Sequence, residues 1–406
     1  MLQGEGSLIA KDCPVPESFK NMIGPILFLT TIFFITFISR FIFAPLMPNI
    51  SHDLGLSHGQ AGSIFLVGSV GVFIGALSSG FISSRFNHRR TLVLSLFGVG
   101  IALFACASLS SLWTIRACML VLGMAAGLQL PSNMATITAI VGREDWGKAL
   151  AVQQTAPPLS LILGPLLSVI LLAWFSWRIP MAGIAVLALV VGFVLFRFGK
   201  FGDFPGDKPN ISLAKQILTQ KAFWIMVVLF ALGIGGQVGV YAMLPLYLVN
   251  ERGLDQDLAN TIIGLSQVSA LFMTFIAGWI TDRLGEKRAI VLFLIVSGIG
   301  TILLGVLSGS WLKVVVFIQP ALAVCYFPAG FAALSRIVQP NLRSLVSAWA
   351  TPTAFILGGG LFPTMLGYMG EVYSFGAGIA IAGSIIILGS GLTIFLKLID
   401  KLEEGC

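Results

Sequence analysis

Twelve apolar runs, each long enough to cross a hydrocarbon layer of about 30 Å, dominate the chain and leave little choice of fold. They are read near 23–48, 60–83, 91–110, 112–140, 149–173, 179–197, 222–249, 260–281, 289–309, 311–338, 344–369 and 375–396. Of the 406 residues, 57% are hydrophobic and only 10% charged, too few polar groups to coat a soluble particle of that size. A cytosolic globular enzyme is excluded on that ground. Because a spanning segment must satisfy its backbone polar groups internally, the expectation is an all-α polytopic membrane protein of twelve transmembrane helices.

The longest hydrophilic stretch between runs extends from Lys200 to Lys221 and contains Asp203, Pro205, Gly206, Asp207 and Pro209, the residue types that mark a linker. The chain divides accordingly into an N-terminal tail (1–22), a six-helix bundle (23–198), a linker (199–221), a second six-helix bundle (222–396) and a C-terminal tail (397–406). The first tail lacks the apolar stretch and small-residue cleavage site of a secretory signal. Taking alternate loops, the side with both termini and the linker holds 18 of the 24 Lys and Arg residues, and the opposite side holds three. The positive-inside rule then puts both termini in the cytoplasm, with a bacterial inner membrane as the expected compartment. This distribution accounts for the net charge of +7 without nucleic acid. The five cysteines (Cys13, Cys106, Cys118, Cys325, Cys406) show no short ligand spacing, so no disulfide framework, metal or cofactor is expected.

The two halves repeat each other at an offset of about 197 residues, and internal symmetry is how many transporters are built. The block Gly80-Phe81-Ile82-Ser83-Ser84-Arg85-Phe86-Asn87-His88-Arg89-Arg90 matches Gly278-Trp279-Ile280-Thr281-Asp282-Arg283-Leu284-Gly285-Glu286-Lys287-Arg288. Pro131 pairs with Pro328, Pro48 with Pro245, and Gly55-Leu56 with Gly253-Leu254. The second block resembles the GxLxDRxGRR loop of the major facilitator superfamily, and the first resembles a degraded copy of it. Gly164-Pro165, preceded by Pro157-Pro158, is similar to the glycine-proline element of that family's fifth span. The resemblance covers nearly the whole chain. It implies two pseudo-symmetric six-helix bundles around a central cavity that opens alternately to each side, and it leaves the substrate unnamed.

An acid followed by several bases at a helix end can pair with backbone termini and with charges on the other bundle, a latch that one conformation makes and the other breaks. Ser84, Arg85, Arg89, Asp282, Arg283, Arg288 and Arg336 are the gating candidates, although the bases also serve orientation. The latch role of Asp282 is implied by the resemblance. Ser84 stands where the first copy would carry its acid, and Asn87 where it would carry a glycine. The first latch is therefore expected to be the weaker.

Apart from the loop motifs and from Arg197 and Lys313 at span ends, the spans contain Arg40, Arg116 and Arg336 and no Asp, Glu or His. An arginine near a helix centre costs about 2.5–3.5 kcal/mol on insertion scales and normally faces a water-filled cavity or a partner. Arg40 lies eight residues inside Pro48, about 12 Å at the helical rise, too deep to reach the outer surface easily. Its guanidinium offers five fixed donors matched to a carboxylate, and with no internal carboxylate the expected partner is the cargo. Thr36 shares its face one turn earlier. Eight residues back from Pro245 the repeat places Gln237, with Tyr241 one turn on. Gln129 and Asn133, also one turn apart, mark a polar face in the fourth span, and Tyr326 falls near the middle of the tenth. Arg40, Thr36, Gln129, Asn133, Gln237, Tyr241 and Tyr326 are thus the candidate substrate-binding residues. Arg116 reads as an interfacial anchor and Arg336 as interfacial or gating.

Phe33, Phe37, Phe41 and Phe43 surround Arg40 in sequence, so a small organic anion with an apolar body, a monocarboxylate, suits the site. Proton symport usually needs a titratable group in the pathway. His52, His58 and His88 fall in loops, and Asp53, Glu251 and Glu371 read as solvated loop carboxylates. Three couplings stay open: anion exchange, downhill transport, and co-transport in which the substrate or its bound site takes up the proton. The carrier is expected to be monomeric. The rival within the same fold is a drug or siderophore exporter. A membrane enzyme would need clustered His, Asp, Glu or Cys, and a sensor an appended soluble module; the sequence offers neither.

Overall fold

The computed structural model describes residues 19–206, 211–339 and 342–398. The expected tails, 1–22 and 397–406, lie outside the described residues except for 19–22 and 397–398, and so do Asp207 and Pro209 of the linker. Eleven helical stretches are long and apolar enough to cross a membrane. One of them, His58–Ser108, runs to 51 residues and is broken at Asn87 (φ 69°, ψ 167°), where the chain turns back and makes two spans. The described residues therefore contain twelve: α1 (Met22–Leu54), α2 (58–86), α3 (88–108), α4 (Leu112–Ile140), α5 (Arg143–Leu172), α6 (Arg178–Phe198), α7 (Lys221–Asn250), α8 (Gln256–Leu284), α9 (Glu286–Val306), α10 (Gly309–Ser335), α11 (Leu345–Val372) and α12 (Phe375–Phe395). Each coincides with one of the expected apolar runs, and no strand occurs among the described residues.

Helix ends are set by local chemistry. Ser57 and Gln60 form a reciprocal capping box at the start of α2, and the Asp255 carboxylate accepts from the Asp257 and Leu258 amides at the start of α8, satisfying donors that the first turn leaves unpaired. The repeat is visible in the backbone as well. Asn87 (φ 69°) and Gly285 (φ 78°) are the turn residues of the two loop blocks, and Gly55 (φ 61°) and Gly253 (φ 64°) end α1 and α7. Each pair lies 198 positions apart (87 to 285, 55 to 253). Asn87 adopts a conformation otherwise left to glycine, at a cost of about 1–3 kcal/mol.

Inside the N-terminal bundle, a Cβ added at Gly71 or Gly75 of α2, or at Gly123 or Gly127 of α4, would strike main-chain atoms of the facing helix. Such close approach replaces the missing hydrophobic drive between helices in lipid. The halves meet through α1 with α7, α2 with α11, and α5 with α8, and these pairings map onto one another when the halves are exchanged. The axis between α1 and α7 is therefore where a site shared by both halves would lie.

Candidate substrate-binding site

Helix α1 is interrupted at Ile42, between segments ending at Phe41 and starting at Phe43. Pro45 and Pro48 lack the N–H that would bond the Phe41 and Ala44 carbonyls, so the helical ladder is interrupted here. The Pro45 carbonyl accepts from Asn260 (3.2 Å) and Gln256 (3.3 Å) of α8. Just below this junction Arg40 is 9% exposed, its Nε is buried without a partner, and its guanidinium makes no hydrogen bond or ion pair with a described residue. Three rings surround it: its central carbon lies 5.5 Å from the Phe37 centroid, 5.3 Å from Phe41 and 5.5 Å from Phe355 of α11. Phe37 and Phe41 stack at 4.6 Å. The aromatic faces attract the cation but accept none of its in-plane donors.

The remaining candidates are distributed unevenly around this centre. Thr36 is buried and donates to the Ile32 (3.1 Å) and Phe33 (3.0 Å) carbonyls of its own helix. Tyr241 is buried, its ring 6.3 Å from Phe41, with its hydroxyl donating to the Leu161 carbonyl of α5 at 3.4 Å. Gln237 is half-buried in a π-helical segment, Gly235–Gly239, of α7; such segments interrupt the regular ladder and frequently mark functional sites. Asn133 donates to the Leu29 carbonyl at 2.8 Å, leaving its Oδ1 unpartnered, and both amide atoms of Gln129 are buried and unpartnered. Fixed against Leu29, Asn133 puts Gln129 beside the Phe33 turn of α1, about 10 Å from the level of Arg40 at 1.5 Å per residue. Tyr326 is fully buried with an unpartnered hydroxyl, but its ring packs on Gly233 and Gly330 and edge-on to Phe230 at 5.4 Å. It belongs to the α7–α10 packing, and no contact joins it to Arg40.

Sequence reasoning missed Phe355, which comes from the other half and immediately precedes a second π-helical segment, Ile356–Leu361. The glycine run Gly358 to Gly360 was the available signal. It also missed Gln153 of α5, fully buried with both amide atoms unpartnered, and Gln267 of α8, 3% exposed with no hydrogen bond to a described residue. An amide within an otherwise apolar run was the sign in both cases.

Arg116 donates to the Ser63 hydroxyl of α2 at 2.8 Å and sits over Trp113 at 5.1 Å, an anchor between helices. Arg336 pairs with Glu286 of α9 at 2.8 Å, so its charge is met within its own half. In the first loop block the Ser84 hydroxyl donates to the Phe81 carbonyl, and exposed Arg85 lies 5.9 Å from the Phe86 ring. Arg89 forms an ion pair with linker residue Asp203 at 2.7 Å and donates to the Gly199 carbonyl at 2.7 Å, while Asn87 donates to Asp203 at 2.9 Å. In the second block Asp282 and Arg288 are exposed and Arg283 lies over Trp279 at 4.0 Å.

The end opposite the linker is sealed between the halves. Besides the α8 bonds to Pro45, Gly59 donates to Glu371 at 3.0 Å and Thr364 donates to the Gly62 carbonyl at 3.3 Å. His58 lies ring to ring with Phe375 at 4.9 Å. Outside this seal a cleft of about 490 Å³ is lined by Asn49, His52, Asp53, Arg178 and Gln256 among others, and it does not reach Arg40. The outer carboxylates, expected to be merely solvated, are held by partners. Asp53 accepts from Trp177 (3.0 Å) and pairs with Arg178 (2.8 Å) at the start of α6. Glu251, its equivalent, accepts from the Phe375 and Gly376 amides at the start of α12. Negative charge at a helix N-terminus is stabilising, which is why these exposed acids are fixed. His88, likewise read as a loop residue, is buried against linker residue Phe204 at 4.8 Å.

Twelve spans in two equivalent bundles, with an unneutralised cation where they meet, define a polytopic membrane carrier. The family model described as Major Facilitator Superfamily matches residues 29–363 and 243–404, and the chain belongs to that family: it is a multi-pass membrane transporter, not an enzyme. It is 23% identical to the gallate transporter of Pseudomonas putida, over 87% of this chain and 83% of that one. It is 26% identical to the multidrug resistance protein MdtG of Serratia proteamaculans, over 66% and 68%. Among solved structures it is similar to a D-xylose-proton symporter, with a TM-score of 0.74 and 17% identity over 95% of this chain and 99% of that one.

Proposed function

We propose that the protein is a secondary transporter of a small organic anion, a monocarboxylate, which it moves by alternating access with Arg40 as the anion-binding group. The observation that carries this reading is the state of Arg40: deep in α1, nine-tenths buried, and without an acid or a hydrogen-bonding partner of its own. A buried charge normally has a countercharge, and a transported anion supplies one only while it is bound. Arg40 lies where α1 approaches both α7 and α11, so movement of one half against the other changes its surroundings. The likeness to a gallate transporter is consistent with an anionic cargo. With both termini placed in the cytoplasm of a bacterial inner membrane, the seal described above lies at the outer end, and the proposed route of cargo to Arg40 is from the linker side. The middle of the spans holds no carboxylate to carry a proton, so coupling runs by exchange or by a proton taken up with the substrate. The proposed working unit is the monomer.

The likeness to a multidrug resistance protein favours one other reading, expulsion of lipophilic drugs. Uptake of radiolabelled carboxylates into proteoliposomes, run beside efflux of a lipophilic cation, separates the two. The proposal expects carboxylate uptake that Arg40→Ala abolishes; cation efflux with carboxylate uptake indifferent to Arg40→Ala would replace it with the exporter.

A further inference from the structure

Resting on the assignment of Arg40 as the carboxylate-binding group, we infer that the cargo is a planar aromatic monocarboxylate rather than a polyhydroxylated acid. A carboxylate bound to the guanidinium in bidentate fashion lies in its plane, and in an arene carboxylate the ring continues that plane. At Arg40 the groups beside the guanidinium are the faces and edges of Phe37, Phe41 and Phe355, with Tyr241 next in line against Phe41. A flat ring leaving the guanidinium meets aromatic surface, where offset-stacked and edge-to-face contacts add to simple burial.

The polar groups within a turn of the cage are few. The Thr36 hydroxyl is committed to two carbonyls and the Tyr241 hydroxyl to a third. Gln237 is half-buried and makes no hydrogen bond to a described residue, enough for one or two ring substituents. A sugar acid would bring four or five hydroxyls into this apolar surface and leave most of them unpaired, each lowering affinity by about tenfold. The cage is also shared between halves, because Phe37 and Phe41 belong to α1 and Phe355 to α11, next to the π-helical segment Ile356–Leu361. A ring held there contacts both halves at once.

Isothermal titration of the purified full-length protein with benzoate, cyclohexanecarboxylate, D-gluconate and acetate tests the inference, with wild type, Phe355→Leu and Arg40→Gln. The expected order is benzoate tightest, cyclohexanecarboxylate severalfold weaker, and acetate and gluconate at least tenfold weaker than benzoate. Phe355→Leu, which keeps apolar volume and removes the ring, is expected to close most of the gap between benzoate and cyclohexanecarboxylate while acetate is unchanged. Gluconate binding as tightly as benzoate, with both lost in Arg40→Gln, overturns the aromatic class and leaves the carboxylate reading standing. Binding of none of the four, or benzoate binding that survives Arg40→Gln, overturns both.

Discussion

Arg89 in the first turn of α3 and Asp203 in the linker form an ion pair at 2.7 Å, and the same carboxylate accepts a hydrogen bond from Asn87. The carboxylate that reaches the first loop block thus comes from the linker, since Ser84 stands where the second block has Asp282. Backbone bonds from His88 to Phe204 (3.2 Å), Arg89 to Gly202 (2.8 Å) and Gly206 to Ser83 (3.1 Å) fasten the same segment. The ion pair is partly exposed, 26% and 50%, and such pairs contribute only about 0–1 kcal/mol. Asp203→Asn is therefore expected to leave the melting temperature nearly unchanged while loosening the linker, read as faster cleavage within 199–206 in limited proteolysis.

Asn87 offers a test of backbone strain. Asn87→Gly relieves a conformation costing about 1–3 kcal/mol and loses two hydrogen bonds, to Asp203 and from the Arg90 amide, each contributing about 0.5–1.5 kcal/mol. The two effects nearly cancel. Asn87→Ala keeps the strain and loses the bonds, so it should melt clearly below both wild type and Asn87→Gly in a thermal denaturation series.

The α8 contacts to α1 hold the outer seal. Gln256→Ala combined with Asn260→Ala removes both donors to the Pro45 carbonyl and disfavours the sealed state by about 1–3 kcal/mol. A cysteine at Leu66, which packs on Gly360 of α11, should then react about tenfold faster with an impermeant thiol reagent applied from the end opposite the linker.

Arg336 and Glu286 are mostly buried, with side chains 16% and 17% exposed. Removing one member of such a pair leaves a poorly solvated charge; Glu286→Gln should cost about 2–3 kcal/mol, somewhat below the fully buried case. The reversed pair, Glu286→Arg with Arg336→Glu, should recover part of the lost melting temperature.

The twelve spans were legible because apolar runs of membrane length admit one backbone solution, and the repeat was legible at Gly55 and Gly253, whose turns demand a positive φ that glycine adopts freely, whereas at Asn87 and Gly285 the shared turn geometry hides behind a changed residue. Arg40 was legible because a lone charge at bilayer depth stands out against its neighbours. Its cage was only half legible: Phe37 and Phe41 are local in sequence, but Phe355 arrives from 315 positions away (40 to 355), and the only sign in its own run is the glycine stretch Gly358 to Gly360 that follows it. Tyr326 shows the opposite error. It is fully buried in α10, and the glycines Gly233 and Gly330 draw the ring into helix packing. The outer acids were misjudged because a carboxylate that caps a helix start looks in sequence like any loop carboxylate.

If the Arg40 guanidinium binds the cargo by charge, the affinity of benzoate exceeds that of its neutral isostere benzamide. Charge-assisted hydrogen bonds contribute about 1.5–3 kcal/mol, so wild type should prefer benzoate by at least tenfold. Arg40→Gln should remove that preference. It removes no protein partner of Arg40, so the fold should persist. A preference for benzoate that persists undiminished in Arg40→Gln would contradict the claim.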